Sequence, residues 1–325
     1  MTASQVLATA HPNIALVKYW GKRDTTLNTP AVSSLSITLD TLQVSTRAVF
    51  GDGDALTING SSEPRATARA IACLDAYRAE TGVASRPIVA DSDVNFPVAA
   101  GLASSAAGFA ALVIAADALY GGLLPTPELA RLAGQASGSA ARSLFGGFVH
   151  LAAPTRDGQP IDVREVVPAD AWPLEVVIAV TATGPKAVGS TQGMELTRTT
   201  APFYPSWVDA QPADIESALA AITVQDFARL ADVAEHSCLK MHAVAMAAQP
   251  GLVYWNGATV EALHTVRALR RSGTPVFFTI DAGPQVKAIC EPGSSDAVAA
   301  ALADVPGVID VLRCGLGPGA LAGPC

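Results

Sequence analysis

Three cations lie within six residues of one another in the segment 18–23, Lys-Tyr-Trp-Gly-Lys-Arg, of an acidic chain. A lysine ammonium is a mobile point charge that suits phosphate or carboxylate. A solvated turn between two strands would explain Arg23 and Asp24, but it explains the adjacent aromatic pair Tyr19-Trp20 poorly. The segment therefore predicts a binding site for an anionic group.

A stretch of small residues at 96–108 has the sequence Phe-Pro-Val-Ala-Ala-Gly-Leu-Ala-Ser-Ser-Ala-Ala-Gly and leads into a helical pattern. Backbone N–H groups can approach a polyphosphate closely there, and the positive end of the helix adds a favourable field. The chain contains no Gly-x-x-x-x-Gly-Lys-[Ser/Thr] motif, so this is not a P-loop. A tightly packed helix of small residues beneath a sheet is the alternative. The stretch favours phosphate binding.

An arginine follows a second small-residue loop, in the segment 137–142, Ser-Gly-Ser-Ala-Ala-Arg, ahead of Phe145-Gly146-Gly147-Phe148. A guanidinium in such a place is suited to bidentate capture of carboxylate or phosphate. A helix-to-strand turn with Arg142 on the surface explains the segment equally well. The residues alone leave both interpretations open.

A lysine and several hydroxyls lie in the glycine-containing segment 183–194. Lys186, Ser190 and Thr191 there are typical of a mobile loop that covers a substrate. An ordinary connecting loop is the alternative.

Asp281 follows the apolar run Phe277-Phe278-Thr279-Ile280 and enters an Ala-Gly-Pro turn. A rigid strand would deliver this carboxylate to the edge of a pocket, so Asp281 is the candidate for contacting a reacting hydroxyl. An Asx-type turn that satisfies its own backbone is the alternative.

The composition restricts the class of protein. The 325 residues allow one large domain or two of moderate size, and half of them are hydrophobic, which permits a substantial core. The net charge of −8 and the absence of a basic cluster argue against nucleic acid or an anionic membrane as partner. The longest apolar stretch, 109–124, contains Asp117 and is too short to span a bilayer. We expect a soluble protein.

Neither the cysteines nor the histidines form a metal-binding pattern. The five cysteines are scattered and never form a Cys-x-x-Cys pair, so they are predicted to be reduced thiols of a cytoplasmic protein. No signal peptide is evident after Met1. His242 has no second histidine or carboxylate at metal-ligand spacing, and we predict that it packs in the interior or lies on a helix surface.

Hydrophobic periodicity predicts strands and helices mixed in both halves of the chain, without a regular βαβ repeat, which indicates an α+β fold. The predicted strands span 5–17, 34–50, 88–95, 174–181, 275–280 and 307–313. The predicted helices span 65–80, 104–120, 126–136, 214–247, 257–271 and 294–303. The polar stretch 183–213 between them is predicted to be the seam between the two halves.

These segments, in this order, resemble the diphosphomevalonate decarboxylases of the GHMP kinase superfamily over essentially the whole chain. The resemblance lies in residues 17–22, 97–105, 137–142 with Gly146-Gly147, and 279–284. The first and last of these are the most specific, since other kinases of the superfamily lack the Lys-Tyr-Trp-Gly-Lys element.

The resemblance implies a two-domain GHMP kinase fold with the active site in the cleft between domains. Residues 1–184 would form the N-terminal ATP-binding domain and residues 185–325 the ferredoxin-like C-terminal domain. The implied reaction belongs to the mevalonate pathway of isoprenoid biosynthesis. ATP, with Mg²⁺, phosphorylates the tertiary hydroxyl of (R)-5-diphosphomevalonate, and phosphate and CO₂ then leave to give isopentenyl diphosphate. A homodimer is a further expectation from the family.

The resemblance also assigns roles to individual residues. Asp281 would contact the tertiary hydroxyl as base or orienting group, Arg142 would bind the carboxylate, and Lys18 would supply positive charge near the reacting end. The other implied substrate-binding residues are Tyr19, Trp20, Gly21, Lys22, Arg69, Ser137, Gly138, Ser139, Ala140, Ala141 and Ser190. The implied ATP-binding residues are Pro97, Ala100, Gly101, Leu102, Ala103, Ser104, Ser105 and Lys186, with Ser105 near Mg²⁺.

The chain departs from the family pattern at four positions. Val32 stands where asparagine is usual, Val98 where threonine is common, and Ser237 and Gln285 where asparagine is common. Since Val32 removes a polar group close to the site, the preference for a diphosphate over a monophosphate stays open. Two further functions compete with decarboxylation: a silent small-molecule sensor, and a sugar or amino-alcohol kinase that releases no CO₂.

Overall fold

Helices pack on four β-sheets in the computed structural model, which describes residues 4–96, 103–156, 158–184 and 186–324. The strands are β1 (Gln5–Ala10), β2 (Asn13–Val17), β3 (Lys22–Asp24), β4 (Thr29–Pro30), β5 (Ser34–Thr38), β6 (Val44–Phe50), β7 (Ala55–Ile58), β8 (Ile88–Val94), β9 (Phe148–Ala152), β10 (Asp162–Val167), β11 (Glu175–Val180), β12 (Val276–Ile280), β13 (Val286–Cys290), β14 (Asp310–Gly315) and β15 (Leu321–Pro324). The helices are α1 (Pro64–Thr81), α2 (Ser104–Tyr120), α3 (Thr126–Ala136), α4 (Ser190–Thr200), α5 (Tyr204–Thr223), α6 (Phe227–Met246), α7 (Gly257–Arg271) and α8 (Ser295–Ala303), with a 3₁₀ turn at Ala140–Leu144.

The sheet topology confirms the predicted α+β class. One sheet has five strands in the order β15-β1-β6-β8-β7, and a second has four in the order β10-β9-β5-β2. A third sheet, β12-β13-β11-β14, belongs to the carboxyl-terminal half, and β3 and β4 form a small ribbon. Strand β15 returns to pair with β1, so the end of the chain joins the first sheet. No helix in the described ranges is long and apolar enough to cross a membrane.

Two of the predicted strands are each two strands in the structure. The run 5–17 divides into β1 and β2, and the run 34–50 divides into β5 and β6, with the two parts of each run in different sheets. Pro12 lies at the first division and has no N–H to continue a ladder. There His11 Nδ1 contacts the carbonyl of Leu42 at 2.9 Å, next to the second division. The predicted single strands were wrong because hydrophobic alternation does not reveal where a chain changes sheets.

Helices α2 and α3 have the predicted boundaries, and α2 forms the centre of the core. Eleven of its side chains are buried, and it packs on β1, β6, α1 and α3. Its one acidic residue, Asp117, accepts a hydrogen bond from Tyr77 Oη at 2.9 Å and from the backbone N–H of Leu123 and Leu124. These three donors satisfy a carboxylate that burial would otherwise destabilise.

The polar stretch 183–213, predicted as an irregular seam, contains α4 and the first half of α5 instead. Helix α4 has weak intrinsic preference but buries Met194 and Thr197 against the neighbouring elements, so tertiary packing decides its conformation. The long helix predicted at 214–247 is interrupted between α5 and α6. Gln225 has a φ of 55° there, and Asp226 caps α6 through the N–H of Arg229.

The packing of α2 generates a prediction about stability. Ala110 is completely buried in the main core, whereas Ala79 of α1 is exposed. We expect Ala110→Leu to lower the free energy of unfolding by about 1–3 kcal/mol, because a close-packed site must deform to admit the larger side chain. Ala79→Leu, the matched control, should change it by less than about 0.5 kcal/mol. Urea denaturation measures both, and equal values would show that α2 is not tightly packed.

Candidate active site

The ends of two strands from different sheets meet in an ion pair. Lys18 follows β2 and Asp281 follows β12, and Lys18 Nζ lies 2.6 Å from Asp281 Oδ1. Lys18 Nζ also donates to the carbonyl of Ala15 at 2.8 Å. The lysine side chain is 1% exposed and the aspartate side chain 26%, so the carboxylate is the more accessible member of the pair. The two residues predicted from distant segments are thus in direct contact.

A second lysine, absent from the predicted set, contacts the other oxygen of the same carboxylate. Lys287 of β13 is 1% exposed, and its Nζ lies 3.4 Å from Asp281 Oδ2. Burial alone would raise the pKa of Asp281, but the ammonium groups of Lys18 and Lys287 outweigh it and hold that pKa well below its usual range. Asp281 is therefore ionised throughout the neutral range. The sequence signal was a single charged residue within an otherwise apolar strand.

Arg142 is buried beside this ion pair on the 3₁₀ turn. Its Nε donates to Asn13 Oδ1 at 3.1 Å, and its Nη1 donates to Ser34 Oγ at 2.8 Å. Burial lowers the pKa of Arg142 to about 10, so the guanidinium stays charged at neutral pH. Asn13 and Ser34, which sequence reasoning did not single out, fix its orientation. Asn13 further donates to the carbonyl of Ser139 at 2.9 Å.

Tyr19 packs against the loop 137–142. The Tyr19 hydroxyl is so close to Gly138 that a Cβ there would approach it to 2.3 Å, and the ring lies 5.9 Å from the Arg142 guanidinium carbon. Ser137 and Ser139 are half-buried on this loop, while the side chains of Ala140 and Ala141 are fully buried. The contributions available from these two alanines are therefore backbone ones.

Trp20 packs in the interior and not toward open space. It is 2% exposed in a cluster with Trp207 and Met194, its carbonyl accepts a hydrogen bond from Trp207 Nε1 at 2.9 Å, and its ring meets Tyr254 edge-on. The next residue, Gly21, has a φ of 109°, and a side chain there would collide with the Tyr204 hydroxyl. The indole is thus a structural anchor between two lysines.

Lys22 and Arg69 form a second group of positive charge. Lys22 is nearly buried, and its Nζ lies 3.5 Å from Thr191 Oγ1 of α4. Burial, followed by the charge of Arg69, lowers the pKa of Lys22. Arg69 donates to the carbonyl of Ala136 at 2.8 Å and lies over the ring of Phe109. Two cations that repel each other in this way favour an anionic ligand between them.

The segment predicted to bind the nucleotide lies partly outside the described residues. Those outside include Pro97, Val98, Ala100, Gly101 and Leu102. Ala103 has a φ of 56° and is followed by Ser104 and Ser105 in the first turn of α2, which has no acidic residue and no side-chain cap. The positive end of this helix suits an anion. Lys186 Nζ donates to Ser190 Oγ and to the carbonyl of Ala282, each at 2.8 Å.

No group of three or more metal-ligating side chains (His, Cys, Asp or Glu) occurs among the described residues. A hydroxyl such as that of Ser105, which is exposed, suits an ion that arrives with phosphate oxygens and keeps its own water.

Three departures from the family pattern have visible roles. Ser237 Oγ accepts the backbone N–H of Lys18 at 3.0 Å, and Gln285 Oε1 accepts that of Thr181 at 2.6 Å. Val32 is 3% exposed and packs in the Trp20 cluster. Ser237 and Gln285 therefore supply hydrogen bonds, while Val32 supplies only apolar contact.

His242 packs in the interior, which is one of the two places predicted for it. Its Nε2 contacts the carbonyl of Ile280 at 3.2 Å, and its ring lies 4.7 Å from that of Trp255. Burial lowers the pKa of His242 to about 3. The neutral ring therefore supports the residue that precedes Asp281.

Two family models match the chain. Residues 10–160 match the diphosphomevalonate decarboxylase-like N-terminal domain, and residues 176–309 match the mevalonate 5-diphosphate decarboxylase C-terminal domain. The chain belongs to the diphosphomevalonate decarboxylase family. A family member from Gibberella zeae is 38% identical over 315 residues, which cover 90% of this chain and 82% of that protein.

Solved structures of the family agree over nearly the full length. The mevalonate diphosphate decarboxylase of Staphylococcus aureus superimposes with a TM-score of 0.91 at 32% identity, covering 98% of both chains. A complex of MDDEF with MVAPP, AMPPCP and magnesium superimposes with a TM-score of 0.90 at 34% identity, covering 99% of both chains. The two-domain fold predicted from the resemblance is thus confirmed.

Burial of His242 predicts a pH dependence of stability. Its pKa of about 3 lies below the ordinary value, so the unfolded chain takes up the proton first as the pH falls. Stability present above about pH 6.5 is then lost on acidification, by about 1–2 kcal/mol between pH 7 and pH 5. His242→Gln should remove this part of the pH dependence of the free energy of unfolding, which urea denaturation at pH 7 and pH 5 measures. His264→Gln, at an exposed position, should retain it, and a native slope in His242→Gln would contradict the assignment.

Proposed function

We propose that this protein catalyses the ATP-dependent decarboxylation of (R)-5-diphosphomevalonate to isopentenyl diphosphate, ADP, phosphate and CO₂. The observation that carries the proposal is the partly exposed Asp281 carboxylate, which is bound by Lys18 and interacts electrostatically with the buried guanidinium of Arg142. A sensor would have no use for this costly set of buried charges. A simple kinase would have no use for a buried cation suited to a substrate carboxylate.

Asp281 orients the tertiary hydroxyl of the substrate. Because its pKa lies far below the usual range, this carboxylate is a weak base that stays ionised and can accept a hydrogen bond from the hydroxyl. The hydroxyl oxygen forms a bond to the γ-phosphorus of ATP while the bond from that phosphorus to the β-bridging oxygen breaks and ADP leaves. In a loose transition state the hydroxyl proton leaves late and passes to an oxygen of the transferred phosphoryl group, so Asp281 needs only to orient the hydroxyl. Lys18 then stabilises charge on the transferred group.

The second step releases CO₂ and phosphate. The bond between the substrate carboxylate and its neighbouring carbon breaks, and its electron pair forms the new double bond. The C–O bond to the phosphate breaks at the same time, and the electron pair of this C–O bond leaves with the phosphate. No oxidant is therefore needed. Arg142 holds the departing carboxylate, and Asn13 and Ser34 keep the guanidinium from turning away.

The nucleotide occupies the positive end of α2. Ser104, Ser105 and the residues before them bind its phosphates, Lys186 contacts the transferred group, and Ser105 holds Mg²⁺. The metal ion supplies charge neutralisation of the phosphate oxygens. Support comes from the uncapped first turn of α2 and from the position of Lys186 beside Ala282.

The diphosphate end of the substrate lies between Lys22, Arg69 and the loop 137–142. Tyr19, Ser137 and Ser139 supply polar groups there, and Ser190 belongs to the segment that closes over the site. Gly21, Gly138, Ala140 and Ala141 contribute backbone. Trp20, whose ring is buried, positions the neighbouring residues Tyr19 and Lys22.

The remaining features follow the family. We place the domain boundary at 184/185, although β11, just before it, pairs with β13 and β14 of the second half. We propose a cytoplasmic protein, which is supported by free thiols at the four described cysteines. The homodimer stays a prediction.

The central test is release of CO₂ from diphosphomevalonate in the presence of ATP and Mg²⁺. We expect turnover by the native protein and a loss of about 10³-fold or more in kcat for Asp281→Ala and Asp281→Asn, because the hydroxyl is no longer oriented. Asp296→Ala alters an exposed aspartate paired with Arg313 and should keep native activity. Release of ADP without CO₂ by the native protein would instead identify a kinase.

Substrate preference tests the assignment of the diphosphate end. We expect Lys22→Met to raise KM for diphosphomevalonate about tenfold or more with a smaller change in kcat, since a ground-state contact to a charged phosphate is lost. The rise in KM caused by Lys22→Met should be smaller when the substrate is the monophosphate. Arg23→Met, which removes an exposed neighbouring cation, is the matched control. Faster native turnover of the monophosphate than of the diphosphate would overturn the assignment.

A further inference from the structure

Lys287 is a buried charge in an apolar strand. The other residues of β13 are Val286, Ala288, Ile289 and Cys290, and all five positions are buried. Burial lowers the pKa of Lys287, which is the signature of a desolvated ammonium that an apolar side chain could replace at lower cost. Packing therefore does not explain the lysine, although its aliphatic stem suits the core.

The register of the sheet directs this ammonium to the reacting end of the cleft. Lys287 lies opposite Thr279 on β12 and opposite Ile178 on β11. Its Nζ thereby reaches Oδ2 of Asp281, which follows immediately after β12, at 3.4 Å. Lys18, from the other half of the chain, holds Oδ1 at 2.6 Å. A carboxylate bound at both oxygens cannot pivot about either contact.

Positive charge exceeds negative charge around this carboxylate. Lys186 donates to the carbonyl of Ala282 and also interacts electrostatically with Asp281, so three ammonium groups act on this carboxylate. The other charged or titratable groups that act on Asp281 or Lys287 from the packed elements are Arg142, Cys238 and His242. An anion that enters here meets a preorganised positive field. This field stabilises the anion most while negative charge is being transferred to it.

We infer that Lys287 is a positioning residue, which fixes Asp281 through its second carboxylate oxygen and adds positive charge where the transferred phosphoryl group arrives. The inference rests on the proposed function. Lys287 acts through Asp281 and contacts no reacting atom in this role. Its loss should therefore slow the chemical step and leave substrate binding at the Lys22 end intact.

The test compares Lys287→Met, which keeps the stem and removes the charge, with Lys287→Arg, which keeps the charge. We expect kcat of Lys287→Met to fall about 10–100-fold while KM and the calorimetric Kd for diphosphomevalonate change less than about threefold. Lys287→Arg should keep kcat within about threefold of the native value, because it restores a cation beside the second carboxylate oxygen.

The control is Lys240→Met, which removes the same chemical group from the ion pair with Asp214 on α5. It should leave kcat unchanged. A native kcat in Lys287→Met would overturn the inference while the proposed function stands. Equal losses of kcat in Lys287→Arg and Lys287→Met, or a calorimetric Kd that changes as much as kcat does, would also overturn it. A native protein that releases no CO₂ would refute the proposed function first, so the two failures are distinguishable.

Discussion

The structure of the site depends on one buried ion pair, between Lys18 and Asp281. Removing two charges from water is expensive, and the attraction between them offsets the cost only when further hydrogen bonds satisfy the same groups. The protein supplies these from both halves: Ala15 accepts from the ammonium, and Lys287 contacts the other carboxylate oxygen. Ser237 and Gln211 hold the backbone of Lys18 in place. The pair therefore fixes how the end of β2 sits relative to the end of β12, and the cleft takes its shape from this junction.

The same pair determines which chemistry the cleft performs well. A carboxylate held between two lysines is a poor proton acceptor, so its value lies in direction and charge and not in basicity. Phosphoryl transfer through a loose transition state needs orientation and electrostatic stabilisation more than a strong base. In the proposed reaction, the buried guanidinium of Arg142 adds positive charge near the substrate carboxylate that leaves. Charges that are costly to the folded state thus become useful when an anion arrives.

Local patterns predicted the elements and the site segments that are continuous in sequence. The boundaries of α2 and α3, and the position of Asp281 after an apolar strand, follow from periodicity and composition alone. The partners of each charge did not follow, because Lys287 reaches Asp281 through strand register and Asn13 reaches Arg142 across 129 residues of chain. The helical seam at α4 was missed for the same reason, since contacts from distant elements decide its conformation.

The aromatic pair within the lysine-rich segment now has a physical explanation that a solvated turn did not give. In the proposed function Lys18 serves the reacting end of the substrate and Lys22 its diphosphate end, and a rigid chain between them would keep the two lysines apart. Trp20 makes this segment rigid because its ring packs in the cluster around Trp207. The left-handed conformation of Gly21 lets the chain turn against the Tyr204 hydroxyl. The spacing of the two lysines is therefore set by packing, and the distance between the two anion-binding groups of the cleft depends on an apolar core.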